Sequence, residues 1–139
     1  MKGIDSLIRL HKWRLDEERR RLLELESMVL DFDRRLAALD AELEHEAEVA
    51  TRSMDAGVSF GGYAAAVRDR RERLVQSKAE IEAEVVNVRE VVSRAFQELK
   101  RYEIVAEDRR RRAAIKEKRA QQRVLDDVGI EQFRRGRSA

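Results

Sequence analysis

His11 and His45 are the only imidazoles in a chain of 139 residues that contains no cysteine. Metal coordination, or proton transfer near neutral pH, would have to centre on them. Glu42-Leu-Glu-His45 has the Glu-x-x-His spacing that sets a carboxylate and an imidazole on one helical face, half of a carboxylate di-metal site. The other half would be a second copy, and the sequence has none. His11 lies 34 residues away, roughly 50 Å along a helix, too far to share an ion. Gly57, Gly61 and Gly62 lack the Gly-Lys-Ser/Thr ending of a phosphate loop. Neither a Ser-His-Asp nor a Cys-His arrangement can be assembled. The many carboxylates alternate with basic residues at helical spacing, which ion pairing explains. The sequence therefore predicts no catalytic residue, no metal ligand and no cofactor: the chain is not an enzyme.

With catalysis set aside, the chemistry that remains is that of surfaces. Charged residues make up 42% of the chain, against roughly 25% in average domains. Proline is absent and aromatics are 5%. Such a chain cannot build a thick core, but it can bury a narrow apolar stripe between two helices, and regular periodicity is what separates that outcome from disorder. The charge is unevenly spread. Residues 107–123 hold eight Lys/Arg and three acidic residues, a local net of +5 in a chain of net +2. The start of the chain lacks the apolar run of a signal peptide. The longest apolar run, Tyr63 to Val67, is far below the ~20 residues of a membrane span. A soluble, cytoplasmic protein is expected, and the absence of cysteine fits a reducing compartment.

Heptad periodicity carries the organisation. Every seventh residue from Ile8 is apolar: Leu15, Leu22, Val29, Leu36, Leu43 and Ala50. The companion series is Ile4, His11, Glu18, Leu25, Phe32, Leu39 and Glu46, so 11 of 14 seam positions are apolar. A second seam runs Phe60, Ala64, Val67, Arg71, Leu74, Lys78, Ile81, Val85, Val88, Val92, Ala95, Leu99, Tyr102 and Ala106, with 12 of 14 apolar. A repeat of 3.5 residues held this long predicts an all-α fold: an antiparallel two-helix coiled-coil hairpin with a C-terminal single-helix extension. Residues 1–139 would form one coiled-coil domain. Helix 1 is expected over about 5–54, capped by Asp5 or Ser6, and the turn over about 55–62, where three of the six glycines fall. Helix 2 is expected over about 60–128, with Ser59 as its cap and Gly129 weakening or ending it.

Centring the turn near residue 56 places residue 108 beside Ile4. Beyond it the seam reads Arg109, Ala113, Lys116, Ala120 and Arg123, and loses its apolar character. Some 20 to 28 residues would then project as a single helix of about 30–40 Å. Isolated helices of this kind are marginal in water, so a partner is expected for it. The heptad also marks apolar residues that the seam leaves out. Trp13 falls at the most outward position, with Leu10 one turn before it, and Ile104 lies near the open end. Leu23 and Leu30 share another outward position, one heptad apart. Trp13 suits an interface anchor. The cations from Arg109, Arg110, Arg111 and Arg112 to Arg119 and Arg123 suit an acidic protein surface. Nucleic acid fits less well, because no aromatics interleave with them.

The layout resembles the FliJ-type flagellar export proteins and their relatives in injectisome type III secretion. The likeness rests on the opening "LIRLHKWRLDEERRRLLELE", on the break "GVSFGGYAAAVRDRRERL", and on "SRAFQELKRYEIVAEDRRRR" running into "KRAQQRVLDDVGIEQF". The tail motif reads Leu-Asp-Asp here, where the family has Leu-Asp-Glu. The resemblance implies a non-catalytic component of the flagellar type III export apparatus, acting as a stalk and general chaperone. Its implied partners are the hexameric export ATPase, the export-gate membrane protein and export chaperones, so it would meet the inner face of the membrane only through partners. Carried over, Leu125, Asp126, Asp127 and Phe133 match the tail motif, and the helix from Arg109 to Arg123 is presented to the ring. Two other readings stay open: a self-associating structural coiled coil using Leu23 and Leu30, and a nucleic-acid-binding coiled coil.

Overall fold

A computed structural model describes residues 2–138. It consists of two helices, α1 (Lys2–Ala50) and α2 (Met54–Ser138), with no strand among the described residues. Two long helices joined by a short link are consistent with a helical hairpin.

The link is residues 51–53, earlier than the glycine-rich stretch suggests. The reason is local hydrogen bonding. At the end of α1 the Thr51 amide and hydroxyl both donate to the Glu48 carbonyl, at 3.3 and 2.7 Å. Ser53 Oγ then accepts from the Ala56 amide at 3.1 Å, an N-cap in the usual third-residue geometry. With Ser53 capping α2, the expected turn over 55–62 becomes helix. Ser59 is no cap, because its hydroxyl donates back to the Asp55 carbonyl at 3.2 Å. No glycine takes a positive φ. The single Gly129 likewise does not end α2: its cost of about 1 kcal/mol is absorbed within a continuous run of intrahelical hydrogen bonds. At the other terminus α1 starts at Lys2, so Asp5 lies in its first turn, favourable to the helix dipole, rather than at the cap. Ser6 donates to the Lys2 carbonyl at 3.0 Å.

The chain divides into two compact units. One covers Trp13–Ala95. Its core is a stripe: Leu15 and Leu39 from α1, and Ala64, Val67, Val85 and Val88 from α2, all buried. Ion pairs flank the stripe. Arg21 reaches Glu84 at 2.8 Å, Lys78 reaches Asp33 at 2.7 Å, and Arg71 reaches Asp40 at 2.9 Å. As numbers rise along α1 they fall along α2. Tyr63 donates to Glu42 at 2.6 Å, and that hydrogen bond, aided by partial burial, pushes the phenol up to about 12. Lys78 is a half-buried seam residue held above the ordinary lysine value, first by its hydrogen bond to Asp33.

The second unit takes the chain up to Lys12 together with everything from Phe96 onward. Ile4 and Ile8 are buried there, as are Leu99 and Ala106. His11 is buried too and stacks on Tyr102, with ring centroids 4.7 Å apart.

Every seam position read in α1 is buried or half-buried, and in α2 only Arg71 is exposed. Arg71 leaves the stripe for Asp40, a small departure that a guanidinium on a flexible three-carbon stem makes cheaply.

Candidate partner-binding surface

The second unit shows where the stripe ends. Ala106 is 0% exposed, and its small side chain closes the apolar contact. From Glu107 to Arg137 every residue is exposed. The terminal helix therefore buries nothing within the chain and presents all its faces.

Two grooves lie on this unit. The first, about 470 Å³, is lined by Ile8, Lys12, Lys100, Glu103, Ile104, Glu107 and Arg110. Its apolar lining is Ile8, which is buried, and Ile104, 67% exposed, and two of its flanking ion pairs are Lys100–Glu103 (3.3 Å) and Arg110–Glu107 (3.7 Å). Lys12 adds a cation that finds no ion-pair partner among the described residues. The structure thus brings Ile104 and Arg110 together. Leu10 is exposed on the same unit but does not line this groove. Trp13, 61% exposed, belongs to the other unit, as do Leu23 and Leu30, both outward-facing. Lys12 and Lys100 were not singled out by the sequence. Their signal was available: each immediately follows a seam residue, His11 or Leu99, and so flanks the stripe.

The second groove, about 500 Å³ and wide open, lies on the terminal helix between Glu117, Ala120, Gln121, Val124 and Leu125. Val124 and Leu125 form its apolar part, Leu125 being 64% exposed.

The four consecutive arginines diverge around the helix. Arg110 pairs with Glu107 and Arg112 with Asp108 (3.1 Å). Among the described residues Arg109, Arg111, Arg119 and Arg123 find no ion-pair partner. Asp126 accepts from Gln122 at 3.1 Å, and Asp127 is exposed. Phe133 is 65% exposed with the Arg137 guanidinium 5.3 Å from its ring centre. The arrangement offers charge and small apolar patches along open grooves. Among the described residues no group of three or more His, Cys, Asp or Glu could hold a metal ion, and no helix is long and apolar enough to cross a membrane.

The model of the family described as "Flagellar FliJ protein" matches residues 1–138. The chain belongs to the flagellar FliJ family. Two curated FliJ proteins, both named "Flagellar FliJ protein" and from two strains of Caulobacter vibrioides, are each 31% identical to it over 125 residues, covering 90% of either chain. No solved structure gives a match. For this FliJ-family chain the family match extends through the exposed terminal helix.

Proposed function

We propose that this chain is a cytoplasmic, non-catalytic component of the flagellar type III protein export apparatus. In this reading residues 1–139 form one domain, an antiparallel two-helix coiled coil with a single-helix extension, and need no cofactor. It acts as a stalk and general chaperone that binds the hexameric export ATPase and couples it to the export-gate membrane protein and to export chaperones. Leu10, Trp13 and Ile104 serve as apolar anchors. The cations of residues 109–123, with Leu125, Asp126, Asp127 and Phe133, make the contact with the ring.

One observation carries the reading. A helix whose residues from Glu107 to Arg137 are all exposed is held by nothing in its own chain, and single helices of that length are marginal in water. Retaining one is a cost unless a partner covers it. The test is to measure the export ATPase's turnover, and its affinity for this chain, with the full protein and with residues 107–139 removed. Stimulation that survives the deletion refutes the role given to the terminal helix.

A second reading has its own support. Leu23 and Leu30, one heptad apart, are both exposed, and a second copy would cover them. Sedimentation equilibrium separates the two: a monomer at all concentrations argues against the scaffold, and a stable dimer or tetramer supports it.

A further inference from the structure

We infer that the helix between Arg109 and Leu125 is a docking face for an acidic amphipathic helix of a protein partner. Carboxylates of that partner would lie on a row of five cations, and its apolar residues in the adjoining groove. This rests on the reading above and gives the chemistry of the partner that the terminal helix engages.

Arg109, Arg112, Lys116, Arg119 and Arg123 follow one another at steps of three and four residues, the spacing that sets side chains in one row along a helix. The row is about 21 Å long. Among the described residues four of its members find no ion-pair partner, and Arg112 pairs with Asp108 at its edge. Like charges at these steps oppose the helix that carries them. A facing row of carboxylates reverses that sign, so binding and helix stability are linked.

Ala113 and Ala120 lie beside the row, between it and the groove that Ala120, Val124 and Leu125 line. Small side chains there let another backbone approach closely. The surface therefore presents cations, a low strip and a groove in which Val124 and Leu125 are apolar and Glu117 and Gln121 polar, in that order, which is the complement of an amphipathic helix with an acidic flank on the cation side.

Three features favour a protein over other polyanions. Asp126 continues the row after Arg123, Asp127 sits beside it, and Glu107 and Asp108 precede it. A polyanion of indefinite length would meet repulsion at both ends, whereas a partner of limited length would not. Between Tyr102 and Phe133 there is no aromatic on which a base could stack. Ile115 and Phe133 face away from Val124, so the helix has no single apolar face to lay into a lipid surface.

The test uses the full chain and three labelled probes at about 0.15 M salt. These are a synthetic helical peptide with glutamates at three- and four-residue steps beside leucines, a duplex DNA, and phosphatidylglycerol vesicles. The peptide is expected to bind most tightly. Its affinity should fall at least about tenfold when Arg112, Lys116, Arg119 and Arg123 are all changed to Gln. It should fall several-fold for the double variant Val124→Ser, Leu125→Ser. All six positions are exposed and glutamine is a good helix former, so the fold is not at stake. Tighter binding of the duplex or the vesicles, or full peptide affinity in the glutamine variant, overturns the inference. The glutamine variant is also tested on the export ATPase. If it binds as the parent does, this inference fails, and with it the ring contact given to the cations of residues 109–123, while the place of the chain in the export apparatus stands. If the parent itself does not bind the ATPase, the proposed function fails and the peptide result alone decides.

Discussion

Gly61 and Gly62 give the sharpest check on where the chain reverses. Both sit inside α2, neither has a positive φ, and a Cβ added at either meets nothing within 4 Å. In that setting glycine only costs helix stability, about 0.5–1 kcal/mol relative to alanine at each site. The double variant Gly61→Ala, Gly62→Ala should therefore be more stable by about 1–2 kcal/mol, since no contact is lost to offset the gain. For a chain of this size that raises the melting temperature by about 4–8 °C. Circular dichroism followed through thermal and urea unfolding reads it directly, and the urea slope should not change, because no new surface is buried. If instead these glycines formed the turn, at least one would take a left-handed φ, and alanine there would destabilise the protein. A fall in midpoint would refute both the Ser53 cap and the link at 51–53.

Removing residues 109–139 should lower the helical signal roughly in proportion to the helix lost, yet shift the unfolding midpoint by less than about 0.5 kcal/mol, since every described residue removed from 109 to 137 is exposed. Leu15→Ala, at a position 3% exposed, should cost about 2–3 kcal/mol in urea unfolding, whereas Leu125→Ala should cost under about 0.5 kcal/mol. Tyr63, held up to about 12 by its hydrogen bond to Glu42, should ionise late in an ultraviolet titration and return toward 10 in Glu42→Gln. The sign follows from the raised value: this bond's contribution to stability is complete below about pH 10 and disappears as pH rises through 12. His11→Leu should keep or raise stability, because His11 is buried in the same unit as the buried Ile4, Ile8 and Leu99 and its stacking on Tyr102 is replaceable by apolar packing.

The paired seams were legible because burial between two helices depends on a period, and a period survives any single exception. Glu18, Glu46 and Lys78 sit on the stripe without breaking it, since long charged side chains can cover it and turn their ends outward, as Lys78 does to Asp33. The break was harder to place. Glycine counting locates helix weakness, but a helix starts where an amide finds an acceptor, and Ser53 Oγ supplies one to Ala56 before any glycine is reached. The same asymmetry explains Gly129: low propensity does not end a helix without a cap that captures its last carbonyls. Of the candidate surface, the exposure of the terminal helix followed from the fading seam, because exposure is what remains when periodic burial stops. The grooves did not follow, since they depend on how side chains such as Lys12, Lys100 and Val124 stand beside one another rather than on sequence spacing alone.

The stripe and the terminal helix also differ in how they tolerate change, and that difference points to a partner. Along the stripe, replacing an apolar residue by a charge uncovers its neighbours on both helices. On the terminal helix there is nothing to uncover, so stability alone places almost no demand on residues 107–137 beyond helix propensity. A helix under no other demand would be expected to place its cations next to acids at four-residue steps, as Arg73 with Asp69 and Arg94 with Glu90 do elsewhere in α2. Residues 109–123 do so only at their start, where Arg112 pairs with Asp108, and then set cation after cation along one row, with two aspartates at its end. The docking face proposed above would account for an arrangement that works against its own helix, since a facing row of carboxylates reverses the repulsion along the row.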